Sequence, residues 1–258
     1  MDYIKFGNGR KDFVILPGLS IHSITRYADA IKEAYKGFTD TYTVYVFDRA
    51  KIINNNYSIR NMADDTAKKM KSLGIQKADI LAASQGGMIA LYLAIYHSPL
   101  VNKMILASTL AKPNDTFNRV IDEWINLAEK KSEFELISSF ISNVYSKQTL
   151  ALYKETLLAS ESGITNEEYR RFLILAKACK TYDCYNEISH IKCPVFVIGC
   201  AGDRVVTAQA SYQIAEKLNC EVYIYDKRFG HAVYDEAPDY KERCLNFFRS
   251  DITNENIN

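Results

Sequence analysis

The sequence lacks most of the features that assign a function cheaply. No lysine or arginine run rises above short pairs such as Lys68-Lys69 and Lys130-Lys131, which read as solvated helix faces. The 32 basic residues almost cancel the 31 acidic ones, leaving a formal net charge of +1. Neither nucleic acid nor an anionic membrane surface is therefore an expected partner. No apolar run reaches the roughly 18–20 residues that a membrane helix needs. The opening "MDYIKFGNGRKDF" has no basic start followed by an apolar stretch, so no secretory leader is expected and a cytoplasmic location is. The six cysteines, at 179, 184, 193, 200, 220 and 244, form no Cys-x-x-Cys, and no histidine pair lies beside them. A metal site is not expected. Buried free thiols in a reducing compartment are the plain reading, with a redox role for Cys179, Cys184 and Cys193 as the alternative. Histidine is scarce too: His22, His97, His190 and His231 are the whole supply, so any imidazole base comes from a short list.

What is present is a rhythm. The 258 residues suit one large domain, or one domain with an inserted part, at about 100–200 residues per domain. "FVILP" (13–17), "TVYVF" (43–47), "DILAA" (79–83), "MILAS" (104–108), "PVFVIG" (194–199) and "EVYIYD" (221–226) are short, apolar and rich in Val, Ile, Tyr and Phe. They read as strands, and most do not alternate polar with apolar residues. Both faces are then covered, as in a parallel sheet between helix layers. "YIKFGNGRKDFVIL" predicts an opening hairpin turned at Gly7-Asn8-Gly9. Between strands, "SIRNMADDTAKKMKSLG" (58–74) predicts a helix with Ser58 as N-cap, Ile59, Met62, Thr66, Met70 and Leu73 on one face, and a stop at Gly74. "MIALYLAIYHS" (88–98) is apolar nearly all round and predicts a helix buried on several sides. Alternation of this kind argues for an α/β fold with a mostly parallel central sheet flanked by helices.

Residues 110–190 break the rhythm. They hold one proline, Pro113, one glycine, Gly163, and no convincing strand. "FNRVIDEWINLAEK" and "SEFELISSFISNVY" carry helical apolar spacing, and Ser132 with Glu135 and Thr165 with Glu168 match the capping-box spacing. About four helices are expected here, inserted between two strands of a core made from 1–109 and 191–258. The tail "SDITNENIN" is polar and is expected to fray.

The chemistry centres on "AASQGG" (82–87). A serine between strand and helix, with small residues two before and two after, fits a sharp turn that lifts its hydroxyl from the sheet's carboxyl edge. The same turn directs the backbone N–H of Gln85 toward whatever Ser84 attacks. The alternative is that Ser84 only caps the helix. A serine nucleophile needs a base, and the base needs an orienting acid. His231, in "KRFGHAVYDEAP" just past a strand, is the best-placed base; His97 and His190 read as helix-end or loop residues. His22 and Trp124 are candidates for the pocket wall. Asp203, in the glycine-shaped loop of "VIGCAGDRVV", is the expected acid, with Asp226 and Asp235 as rivals. The loop after "MILAS" has no carboxylate until Asp115. "VILPGLS" supplies a second candidate oxyanion donor, the N–H of Leu19.

With "LPGLS", "ASQGG", "AGDRVV" and "GHAVYDEAP" in this order, the chain resembles the α/β-hydrolase superfamily, within it the cap-bearing serine hydrolases: esterases, lactonases, carbon–carbon bond hydrolases and prolyl iminopeptidases. The resemblance covers nearly the whole chain and sets residues 110–190 where the family inserts a helical cap. It departs at two points. The family's common His-Gly of the oxyanion loop is Pro17-Gly18, and "FDRAKIINNN" keeps Asp48-Arg49 without the Gly-x-Gly-x-Ser that often follows. The resemblance implies an acyl-transfer enzyme with Ser84 as nucleophile, His231 as base and Asp203 as acid. It implies an oxyanion hole from Leu19 and Gln85, and neither metal nor organic cofactor. The expected substrate is a small carboxylic ester with an apolar acyl or aryl group. A carbon–carbon bond hydrolase, an aminopeptidase using cap acids such as Glu123, Glu129, Glu133, Glu155 or Glu161, and a small-ligand receptor on the same fold are the alternatives.

Overall fold

The computed structural model describes residues 1–250. Strands β1 (Tyr3–Phe6) and β2 (Lys11–Leu16) lead through a 3-10 turn at Ile24–Tyr27 to helix α1 (Ala28–Ala34) and strand β3 (Tyr42–Phe47). Helix α2 (Ile59–Ser72), β4 (Ala78–Ala83), α3 (Gln85–Tyr96) and β5 (Val101–Ala107) continue the alternation. Four helices follow without a strand: α4 (Asp115–Glu129), α5 (Glu133–Val144), α6 (Lys147–Glu161) and α7 (Asn166–Lys180). The chain returns through β6 (Val195–Cys200), α8 (Ala208–Leu218), β7 (Glu221–Tyr225), α9 (Val233–Glu236) and α10 (Tyr240–Arg249). The polar tail expected to fray falls largely on residues 251–258, outside the described residues.

The strands form one sheet in the order β1-β3-β2-β4-β5-β6-β7, antiparallel only at β1. All six strands read from sequence are present. The opening hairpin is not: β1 pairs with β3, Tyr3 opposite Phe47, and β3 lies between β1 and β2. The glycines do a different job from the one expected. Gly7 takes φ +77°, and a Cβ on Gly9 would sit 2.1 Å from the Tyr42 nitrogen. They let the β1–β2 connection pass over the start of β3 rather than fold back on itself.

Alternate residues of the strands feed two cores. Val14, Leu16, Ile80, Ala82, Leu106 and Val197 join α2, α3, α8 and the four-helix block on one face. Phe13, Ile15, Val44, Leu81, Ile105 and Ile198 join α10 on the other. The inner strands β3 to β6 are wetted on almost no part of either face, which is why their sequences show no polar alternation. Helix α2 begins at Ser58, which forms a capping box with Asn61, and buries Ile59, Met62, Thr66 and Met70. Helix α3 is buried on nearly every side. Thr165 and Glu168 form the expected capping box. Ser132 makes no capping bond. Its expected partnership is replaced from elsewhere: Glu133 accepts the N–H groups of Gly163 and Ile164, so this acid ties the start of α5 to the α6–α7 turn.

The tightest packing constraint is where α3 crosses the end of β2. A Cβ on Gly86 would lie 1.9 Å from the Leu16 carbonyl oxygen. Backbone cannot step aside as a side chain can, so Gly86→Ala is expected to cost about 2–3 kcal/mol in urea unfolding. Gly37 has nothing within 4 Å of the same added atom. Gly37→Ala is expected to stay within about 0.5 kcal/mol of the wild type. Equal effects of the two substitutions would contradict the packing described.

Candidate active site

Four loops leave the carboxyl edge of the parallel sheet and meet. They follow β2 (Pro17–Ser20), β4 (Ser84), β6 (Ala201–Thr207) and β7 (Asp226–Ala232). In open α/β sheets this edge is where ligands bind.

Ser84 holds the sharpest of these bends, with φ 52° and ψ −122°. An L-residue rarely adopts this conformation, and holding it costs about 1–3 kcal/mol. Four backbone-directed bonds fix it. Its N–H donates to the Ala107 carbonyl at 2.9 Å, and its carbonyl accepts from Gly87 N–H at 2.9 Å, Met88 N–H at 3.3 Å and Thr109 Oγ1 at 2.7 Å. Its side chain makes no capping bond, so the reading of Ser84 as a mere helix cap loses its support. Gly18 approaches so closely that a Cβ there would lie 3.2 Å from the Ser84 Cβ.

His231 Nδ1 donates to Asp203 Oδ2 at 2.8 Å. The other carboxylate oxygen, Oδ1, accepts from Val205 N–H at 2.8 Å and Val206 N–H at 2.9 Å. Burial alone would push Asp203 up, but His231 and these N–H donors outweigh it and hold the carboxyl below its ordinary range. The bond to Asp203 occupies Nδ1 and leaves Nε2 free. Of the rival acids, Asp226 is exposed and pairs with Arg228. Asp235 stands on α9, apart from the His231–Asp203 hydrogen bond.

Ser84 and His231 are buried to 8% and 3% exposure and both line a cavity of about 520 Å³ between the sheet edge and helices α4–α6. Among the described residues no hydrogen bond joins Ser84 Oγ to His231 Nε2, and neither atom has another partner. Leu19 lines the cavity, as does Trp124, whose ring lies 4.7 Å from that of Phe140. His22 does not. Its ring is committed to the α6–α7 turn, with Nδ1 2.7 Å from Glu168 Oε1 and Nε2 2.9 Å from the Glu161 carbonyl. It is a clamp between the β2 loop and the helical block. Of the acids named for the block, Glu123 accepts from Ser139, Glu129 pairs with Lys177, Glu133 caps a turn, and Glu161 alone lines the cavity.

Two features of the site escape sequence reading. Arg49, 5% exposed, donates from Nε to Gln85 Oε1 at 3.0 Å and from Nη2 to the carbonyls of Pro17 at 2.6 Å and Gly18 at 3.3 Å. Burial lowers its pKa to about 10 against the opposing charge of Asp48, so it stays protonated at neutral pH. The Gln85 amide donates on to the Leu175 carbonyl at 2.9 Å, and Arg171 of α7 reaches Asp48. One buried guanidinium therefore spans the Leu19 loop and the first residue of α3. The Asp48-Arg49 pair was visible in the sequence; its reach to the Leu19 loop and to Gln85 was not. The second feature is Asp235. It is an exposed residue on the cavity lining, and the desolvation it does undergo pushes its carboxyl up to about 6, opposed by Lys241.

The Asp235 shift has a stability consequence. The unfolded carboxyl ionises near 3.9, the folded one near 6. A raised carboxylate pKa means the folded state holds a proton that the unfolded chain has released, so folding is disfavoured as pH rises through this window. Because solvent reaches the side chain and screens it, Asp235→Asn is expected to raise Tm only slightly above wild type at pH 8, with the gain shrinking through pH 6 and gone below about pH 4. Thermal melts across that range test it, and an offset independent of pH would contradict it.

Comparison with known proteins agrees with this architecture. A family description, alpha/beta hydrolase fold, matches residues 32–137. The "Putative carbamate hydrolase RutD" of Caulobacter sp. (strain K31) is 24% identical over 203 residues, 77% of this chain and 75% of that protein. Among solved structures, MGS-M2, an alpha/beta hydrolase enzyme from a Medee basin deep-sea metagenome library, superposes with a TM-score of 0.86 at 24% identity, covering 97% of this chain and 94% of its own. The enol-lactonase from Burkholderia xenovorans LB400 gives 0.83 at 16% identity, with 96% of each chain covered. Sheet order, the bend after β4 and these likenesses place the chain in one architecture: it is an α/β-hydrolase-fold protein.

Proposed function

We propose that the protein is a serine hydrolase that transfers the acyl group of a small carboxylic ester, or a related acyl substrate, to Ser84 and then to water. The observation that carries this reading is the strained Ser84 bend opening on the same cavity as His231, whose far nitrogen is held by a buried, ionised Asp203. Ser84 Oγ attacks the carbonyl carbon while His231 Nε2 takes its proton. Asp203 holds the tautomer and stabilises the imidazolium. The Oγ–Nε2 bond forms as substrate seats, as apo sites commonly tighten only in the complex. The N–H groups of Leu19 and Gln85 receive the oxyanion, each worth about 10²–10³ in rate. His231 gives the proton taken from Ser84 to the departing alcohol as the acyl-Ser84 ester forms; water activated by the same imidazole then cleaves the ester, releasing the acid and restoring Ser84. The block 110–190 serves as a cap over the core 1–109 and 191–258, and no metal or organic cofactor takes part.

A second reading concerns the bond cleaved. The likeness to proteins named for carbamate hydrolysis extends over about three quarters of both chains and supports a carbonyl flanked by nitrogen. The same serine, base and oxyanion donors serve either carbonyl, so the two readings share one mechanism and differ in substrate.

Turnover of short p-nitrophenyl esters is expected to fall at least about 10³-fold in Ser84→Ala and in His231→Ala. Full activity in either variant would remove that residue from the mechanism. Arg49 is a positioning residue in this account. Arg49→Lys keeps the charge but not the fork that joins Gln85 to Pro17. It is expected to lower kcat by about 10–10²-fold with KM changed by less than about threefold, because it disturbs donors that act on the transition state. A change confined to KM would contradict the positioning role.

A further inference from the structure

The mechanism uses one carboxylate, Asp203. The cavity holds another. Asp235 lines it from α9 and forms no ion pair among the described residues. Lys241 is the one lysine or arginine in the lining; its ammonium donates to the Tyr234 carbonyl and offsets part of the Asp235 charge without an ion pair to it. Glu161 of α6 also lines the cavity and accepts from the Tyr27 hydroxyl at 2.6 Å. The Tyr145 phenol lies in the field of both carboxylates: after burial itself, Asp235 and Glu161 are the largest influences holding its proton on. Core and helical block thus turn negative charge toward one space, among aromatic rings.

That environment suits a cation with an organic body. Ring faces attract cations through their quadrupole, more strongly when water is excluded. A carboxylate with no ion-pair partner is stabilised by an opposite charge placed beside it. A bare metal ion fits poorly, since no group of three or more His, Cys, Asp or Glu among the described residues could hold one. An independent observation shows that the space is made for a ligand. The side chains of Ser84 and His231 are more than nine-tenths buried, face the same cavity, and leave Oγ and Nε2 without partners.

We propose that this cavity takes a substrate carrying an organic ammonium group, protonated or quaternary, seated against Asp235 with Glu161 in the same lining and the scissile carbonyl at Ser84. The word substrate rests on the reading of Ser84 as nucleophile; the cation site does not. The apolar acyl group expected from the sequence is then only part of the ligand.

Choline and 3,3-dimethylbutan-1-ol share a shape and differ by a positive nitrogen in place of a carbon, which isolates the charge. Calorimetry with the full chain at pH 7.5 is expected to show choline binding about tenfold tighter or more. Asp235→Asn, a substitution expected to stabilise the fold at this pH, should erase the preference, and Tyr145→Phe should weaken it. Equal binding of the two probes by wild type, or tighter binding of the alcohol, overturns the proposal. A preference that survives in Asp235→Asn overturns the placement at Asp235. Turnover of p-nitrophenyl acetate in the same preparations reads the nucleophile separately. An ester-active protein blind to choline refutes the cation site alone, and a choline-selective protein inert to the ester refutes the nucleophile alone.

Discussion

Everything at the sheet edge depends on one backbone conformation, the bend of Ser84 between β4 and α3. With φ at 52° it is a state that an L-residue adopts only when its surroundings leave no other. The surroundings here are Gly86 against the Leu16 carbonyl, Gly87 against Thr109, the hydrogen bond to the Ala107 carbonyl, and those from Thr109 and the first turn of α3. A larger residue at any of these contacts would push α3 off β2 and let the bend relax. The cost of the bend is met by the buried strand and helix on either side, both sunk almost wholly in the core.

Around that bend the polar groups are held by partners from distant segments. Arg49 reaches from the end of β3 to the Leu19 loop and to Gln85, and Gln85 reaches on to α7. Arg171 of α7 returns to Asp48. The loop bearing His231 is tied to the helical block as well: Glu236 accepts from the N–H groups of Ser146 and Gly230, and Ala232 N–H donates to the Val144 carbonyl. In the functional reading proposed here, the helices that shape the substrate space also hold the oxyanion donors and the base in place. A displacement of the block would then be felt in rate as well as in binding.

Much of this was legible in the sequence. The six strands were plain because a parallel sheet buried on both faces leaves uninterrupted Val, Ile and Phe runs. The placing of Ser84, Asp203 and His231 at the sheet edge was legible because each sits in a loop that glycine or alanine shapes, after such a run. Strand pairing was harder. "GNGRK" looked like a hairpin turn, yet β3 sits between β1 and β2, a choice made by packing far away in sequence. His22 and Glu161 were misjudged or unplaced for a related reason. Which way a loop histidine or a helical acid points is set by how the α6–α7 turn docks on the β2 loop, and no periodicity encodes it. Asp235 was noticed only as a rival to Asp203. Its proximity to His231 in sequence was visible, and its exposure to the cavity was not.

The account stands or falls on the Ser84 hydroxyl being the group that attacks. A fluorophosphonate reacts with such a hydroxyl and stays there, so peptide mass spectrometry after labelling reads the attacking residue directly. The account predicts a single phosphonyl adduct on the peptide containing Ser84, absent from Ser84→Ala. An adduct on another residue, or labelling that persists in Ser84→Ala, would contradict it.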